Sequence, residues 1–161
     1  YAYAAATVIK QHFPNQEPEL LIEPGSALAG DSMKFVGRVS TIKKVRGKVF
    51  ATMLGRQKNI SMSGVNPPMT IYMTSIAERK HYENVDVVGY TCIESDVMYR
   101  SYTGELAVGD FLVFSNCGSY SIVMKPPFIM PNFPVLDICG QQTEVIKRGE
   151  CFDDLFHTYS F

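Results

Sequence analysis

From Lys34 onward the chain is a succession of short stretches rich in Val, Ile, Phe and Tyr: KFVGRVSTIKKV, KVFATML, MTIYMTS, NVDVVGYTC, DFLVFSN and YSIVMK, set apart by Gly, Asn, Asp and Pro. β-Branched and aromatic side chains suit a pleated, half-covered surface, and the interruptions supply turns. The pattern predicts a mainly β domain, an antiparallel barrel or sandwich with Greek-key-like connections. With 161 residues, 46% of them hydrophobic, there is apolar material for one good core. The basic run KKVRGK at residues 43–48 reads as the solvated face of a strand pair and its turn. A formal net charge of -1 leaves neither nucleic acid nor an anionic membrane as an expected partner.

The first 35 residues follow a different grammar. YAYAAATVIKQHF favours a helix in which Val8, Ile9 and Phe13 share a face, ended by Pro14 and Asn15. ELLIEPG then reads as a compact apolar strand stopping on Glu-Pro-Gly, and SALAGDSMKFVGRV as a short helix or turn leading into the β region. Helix, strand and Gly-turn are the last unit of an α/β (TIM) barrel, which divides the chain into residues 1–35 and a β domain over residues 36–161. The tail GECFDDLFHTYSF is expected to form a brief helix packing Phe152, Leu155 and Phe156, with Asp153 and Asp154 in its first turn.

Cys92, Cys117, Cys139 and Cys151 form no CxxC pair, and His12, His81 and His157 are scattered, so no metal site is expected. Reduced thiols in a cytoplasmic protein fit this usage. There is no apolar run of membrane-spanning length and no secretory signal. The opening YAYAAATVIKQHFP, without an initiator methionine, is expected to belong to a longer protein.

Three segments carry possible chemistry. In LLIEPGSA, a carboxylate (Glu23) ends an apolar run and Gly25 is free to bring its backbone N–H close to a phosphate, although an ordinary turn explains these residues as well. In VGDFLVFSNCGSY, a tight turn leads into a strand and Tyr120 presents a phenol, which a buried, backbone-satisfied tyrosine explains equally. In GYTCIESD, Cys92 has Glu94 and Asp96 nearby, carboxylates that raise a thiol's pKa and favour a neutral, proton-donating thiol; a small buried hydrophobe is the alternative.

In that order and spacing, EPG, GYTCIESD and VGDFLVFSNCGSY together resemble the C-terminal portion of fold-type III pyridoxal-phosphate decarboxylases, the group of the diaminopimelate and ornithine decarboxylases. The resemblance implies an α/β barrel followed by a β domain, the cofactor pyridoxal 5'-phosphate, an amino-acid substrate and a homodimer with shared active sites. Glu23 matches the acid paired with the pyridine nitrogen, Gly25 the glycine that binds the cofactor phosphate, and Tyr120 the tyrosine reaching the same phosphate. Cys92 matches the cysteine that crosses the dimer interface to reprotonate the substrate carbon after loss of CO2.

The departures bear on substrate. Where the family commonly reads EPGR, Ser26 stands in place of the arginine, and in NPPMTIY Pro68 replaces a second arginine while Tyr72 is kept. The acid that usually follows the cysteine is displaced by one, to Glu94, behind Ile93. Ser26, Tyr72 and Glu94 are thus the expected substrate contacts, and diaminopimelate is not the expected substrate. An amino-acid racemase of the same fold type, or a non-catalytic β-barrel binding module, are the competing readings. The family's lysine that holds the cofactor covalently lies in earlier barrel units, so residues 1–161 alone are expected to form a folded β domain without decarboxylase activity.

Overall fold

The computed structural model describes residues 2–16, 18–60, 66–73 and 79–160. Helix α1 (Ala2–His12) is followed by a turn at Pro14 and Asn15, as its breakers require, and buries none of its residues. α2 (Ser26–Ala29) runs into a 3-10 turn, Gly30–Ser32, that delivers the chain to β1 (Phe35–Val45). β1 forms a hairpin with β2 (Lys48–Met53) through Arg46 and Gly47, both at positive φ, with Lys43 and Lys44 exposed. The KKVRGK run is therefore a solvated hairpin.

After a short helix, α3 (Gln57–Ile60), come β3 (Met69–Tyr72), β4 (Lys80–Val88), β5 (Val97–Leu106) and β6 (Phe111–Phe114). The six strands form one sheet in the order β3-β6-β1-β2-β4-β5. All neighbours are antiparallel except β2 and β4, which run parallel through Phe50↔Asp86 and Thr52↔Val88, so the sheet is mixed where a purely antiparallel one was expected. Strand alternation sends Val39, Ala51, Met53, Val85, Val87, Leu112 and Phe114 into a single core that also takes Met98, Leu106 and Ile60.

The sheet curls until its two ends meet. Asn66, just before β3 at one end, accepts from the Arg100 N–H (2.7 Å) and donates to the Arg100 carbonyl (3.0 Å) on β5 at the other. A side-chain amide here replaces one rung of backbone ladder. A second clasp lies nearby in the sequence: Arg79, directly before β4, makes a bidentate pair with fully buried Asp110 (2.9 and 3.0 Å) and reaches Glu105 of β5 (3.4 Å).

Two expected strands are not formed. Residues 18–24 have no strand assignment, and Leu21 is 85% exposed. A barrel strand takes its backbone hydrogen bonds from flanking strands, and among the described residues none lies beside this segment. YSIVMK is a turn, because Tyr120 sits at φ 61 and the Met124 N–H donates to the Tyr120 carbonyl (3.2 Å). Strand β5 and a separate hairpin of β7 (Val135–Asp137) and β8 (Glu144–Lys147) were not anticipated. The tail helix is present as α4 (Phe152–Phe156), where the rings of Phe152 and Phe156 stack at 4.5 Å.

Candidate active site

Gly25 and Tyr120 meet although the sequence separates them widely. The Gly118 N–H donates to the Gly30 carbonyl (2.9 Å), and a Cβ at Gly118 would overlap the Ala29 carbonyl and the Ser32 hydroxyl, so only glycine lets the CGSY segment lie against α2 and its 3-10 turn. That contact brings the Tyr120 hydroxyl to 3.5 Å from where a Cβ on Gly25 would stand. Gly25 itself has φ 50, a left-handed conformation that costs glycine little. Tyr120 adopts the same region without that excuse, an unfavourable backbone held by the turn after it. It is half exposed, so the buried-tyrosine alternative does not describe it. A glycine backbone and a phenol facing one another suit an anionic group such as a phosphate. Glu23 precedes this corner, exposed, and Ser26 opens α2.

Cys92 lies on the loop between β4 and β5. It is an exposed free thiol, which removes the buried-hydrophobe alternative for it; that description belongs to Cys117, 2% exposed in the core. Burial pushes the Cys117 thiol up to about 11, only partly countered by a backbone hydrogen bond from Phe35, and its S–H donates to the carbonyls of Phe114 (3.4 Å) and Ser115 (3.5 Å). It is a packing residue within the CGSY motif.

Asp96 shapes the Cys92 loop. One carboxylate oxygen accepts from the Gln57 N–H (2.6 Å), the other from the Thr91 N–H (3.2 Å) and the Thr91 hydroxyl (2.5 Å). The loop is closed at its base by the Gly89 N–H donating to the Asp96 carbonyl (2.9 Å), and a Cβ at Gly89 would overlap the Asp96 carboxylate. Sequence reasoning took Asp96 as a neighbour acting on the thiol; the structure commits both its oxygens to holding the loop. The Tyr90 N–H, donating to the Gly55 carbonyl (3.1 Å), ties the same loop to the end of β2.

Glu94 is exposed on the turn after Cys92, and Tyr72 is 57% exposed at the end of β3. Their side chains make no hydrogen bond or ion pair among the described residues. Pro68 leaves its carbonyl to accept from the Ser115 N–H (2.9 Å), which fixes the approach to β3. The candidate residues thus divide into two groups, Glu23, Gly25, Ser26 and Tyr120 at one corner and Cys92 with Glu94 on the loop, with Tyr72 on the edge strand. Among the described residues no cluster of side chains could hold a metal ion, and no helix is long and apolar enough to cross a membrane.

Residues 27–118 match the family model for the C-terminal sheet domain of pyridoxal-dependent decarboxylases. The diaminopimelate decarboxylase of Archaeoglobus fulgidus is 25% identical over 141 residues, covering 86% of this chain and 34% of that protein. The chloroplastic ornithine decarboxylase of Nicotiana glutinosa is 34% identical over 134 residues, covering 74% of this chain and 31% of that protein. In fold, the chain is similar to the crystal structure of Helicobacter pylori diaminopimelate decarboxylase complexed with L-lysine, with a TM-score of 0.77 at 21% identity over 98% of this chain and 39% of that one. The chain spans about a third of the length of these curated relatives.

Proposed function

Since the chain belongs to the pyridoxal-dependent decarboxylase family, as its C-terminal sheet domain, we propose that it is part of a pyridoxal 5'-phosphate-dependent amino-acid decarboxylase. The reaction removes the α-carboxylate as CO2 and returns a proton to the α-carbon. The observation that carries this reading is the meeting of Gly25 and Tyr120, whose donors suit the cofactor's phosphate. The phenol oxygen lies 3.5 Å from where a Cβ on Gly25 would stand, so the glycine backbone and the phenol are immediate neighbours.

When bound, the cofactor supplies a protonated ring that takes up the electron pair left as CO2 departs. This chain's residues do the rest of what is assigned to it. The Glu23 carboxylate would keep the proton on the pyridine nitrogen, and the Gly25 N–H and the Tyr120 hydroxyl would hold the phosphate. Cys92 donates a proton from its thiol to the α-carbon. Its exposure on a loop held by Asp96 supports action on a neighbouring subunit's site, hence a homodimer, which we propose to be cytoplasmic. The lysine that holds the cofactor covalently would come from the barrel that precedes the sheet domain in this family.

The substrate is an amino acid other than diaminopimelate, because Ser26 and Pro68 occupy the positions of the gripping arginines. Its distal end is an amine, an amide or a larger conjugate, met by Ser26, Tyr72 and Glu94. The test is CO2 release by the full-length protein with pyridoxal phosphate, across meso-diaminopimelate, ornithine, arginine and larger conjugates. Release from none of them, with cofactor bound, would defeat the reading.

A further inference from the structure

Arg56 is a buried cation that the proposed reaction does not use. It follows β2, is 4% exposed, and its own N–H donates to the Asn59 side chain (3.0 Å). One guanidinium nitrogen, Nη2, donates to the carbonyl of Pro126, and Nε is buried without a hydrogen-bond partner among the described residues. A buried N–H left unmet is costly, so such a group marks a place where a partner belongs.

Its surroundings are short of negative charge. Lys125, beside Pro126 and partly buried, is held below its ordinary pKa by burial and then by the positive charges of Lys147 and Arg56, which outweigh the pull of Glu150. Glu150 is already occupied: one oxygen pairs with Lys147 (3.0 Å) and the other accepts from the Asn132 N–H (2.9 Å). Asp96, whose charge like that of Arg56 is felt by Tyr90, is committed to Gln57 and Thr91. Among the described residues neither Arg56 nor Lys125 is in an ion pair.

Their position is as telling as their charge. Lys125 directly follows the turn that Tyr120 begins, where the Met124 N–H donates to the Tyr120 carbonyl. Arg56 adjoins Gly55, whose carbonyl holds Tyr90 of the Cys92 loop. The Arg56–Pro126 hydrogen bond therefore links the Tyr120 corner to the Cys92 loop, the two parts of the chain assigned to chemistry.

We propose that Arg56 and Lys125 form an anion subsite that receives a carboxylate at the far end of the substrate. The inference rests on the decarboxylase reading for its meaning and narrows the substrate, among the distal ends named above, to a larger conjugate that carries a further carboxylate. Arg56 offers a buried N–H with no partner among the described residues, and Lys125, partly buried beside Pro126, offers an ammonium. The site takes over a charge-recognition role at a place different from the one left vacant at Ser26 and Pro68.

Binding of glutarate to the full-length protein with its cofactor, followed by isothermal titration calorimetry, tests this without turnover. Saturable binding is expected, weakened by about tenfold or more in Lys125→Gln and in Arg56→Gln, with Arg56→Lys partly restoring it. Cadaverine, a diamine of the same length, should not compete. Should Arg56→Gln fail to fold, Lys125→Gln decides. No glutarate binding, affinity unchanged in Lys125→Gln, or equal binding of cadaverine would each overturn the proposal. Absence of CO2 release in the separate assay would defeat the decarboxylase reading while leaving the calorimetric result intact.

Discussion

Three side chains carry separable roles at the scale of the residue. Tyr120 keeps a left-handed backbone at the cost of local strain, and its hydroxyl is what that conformation presents to Gly25. Tyr120→Phe in the full-length protein is expected to weaken pyridoxal phosphate binding by about 0.5–1.5 kcal/mol while the fold persists, read by cofactor titration; unchanged affinity would take Tyr120 out of the site. Gly89 is glycine because of Asp96. Moving that carboxylate to admit a methyl group breaks the hydrogen bonds to Thr91 and Gln57 that shape the Cys92 loop. Gly89→Ala should therefore destabilise the protein by about 1–3 kcal/mol in urea titrations, and slow alkylation or reprotonation at Cys92 should change with it. GYTCIESD made the thiol legible in the sequence. The role of Asp96 was not, since a carboxylate four residues from a thiol looks like an electrostatic neighbour until its partners from α3 are seen.

Among the elements, composition made β1, β2, β3, β4 and β6 legible, because each is a short stretch rich in β-branched or aromatic residues between turn formers. YSIVMK has the same composition and folds as a turn, since the contact of Gly118 with α2 sets its direction and the prolines after Lys125 cannot extend a ladder. β5, with Gly104 and several polar residues, hides its pairing with β4 from any pattern of hydrophobicity. Burial also leaves a titrating signature in this part of the sheet. Asp86 on β4 is 2% exposed; desolvation pushes its pKa up, but the hydrogen bond from Lys48, the Ser101 N–H (3.0 Å) and the charges of Lys48 and Arg100 outweigh that and hold it below the ordinary range. A depressed folded-state pKa stabilises the protein fully above the unfolded value of about 3.9 and loses that contribution as pH falls through the folded value. Urea midpoints measured from pH 5 downward should fall more steeply for the native protein than for Asp86→Asn; parallel curves would show that Asp86 does not carry this dependence.

For the whole molecule, the proposed sharing of active sites between subunits would have the Cys92 loop and the Gly25–Tyr120 corner serve different sites. Mixing Cys92→Ala subunits with subunits lacking the cofactor-holding lysine is expected to restore up to one working site per heterodimer, and no rescue among proven heterodimers would end the claim of action in trans. The order of the strands carries a different consequence, one of time. The β1–β2 and β4–β5 hairpins close over short stretches of chain, whereas β6 must be reached from β3 over a longer stretch and from β1 over the longest, pairing Phe35 with Phe114. Contacts between residues far apart in the chain form late, because the entropy of closing the loop between them is lost before any contact repays it. The corner that presents Tyr120 hangs directly from the end of β6. It is thus among the last parts of the molecule to exist during folding, and pulse-labelled amide exchange should find Val87 protected well before Leu112 and before Val39, whose N–H donates to the Asp110 carbonyl (2.8 Å).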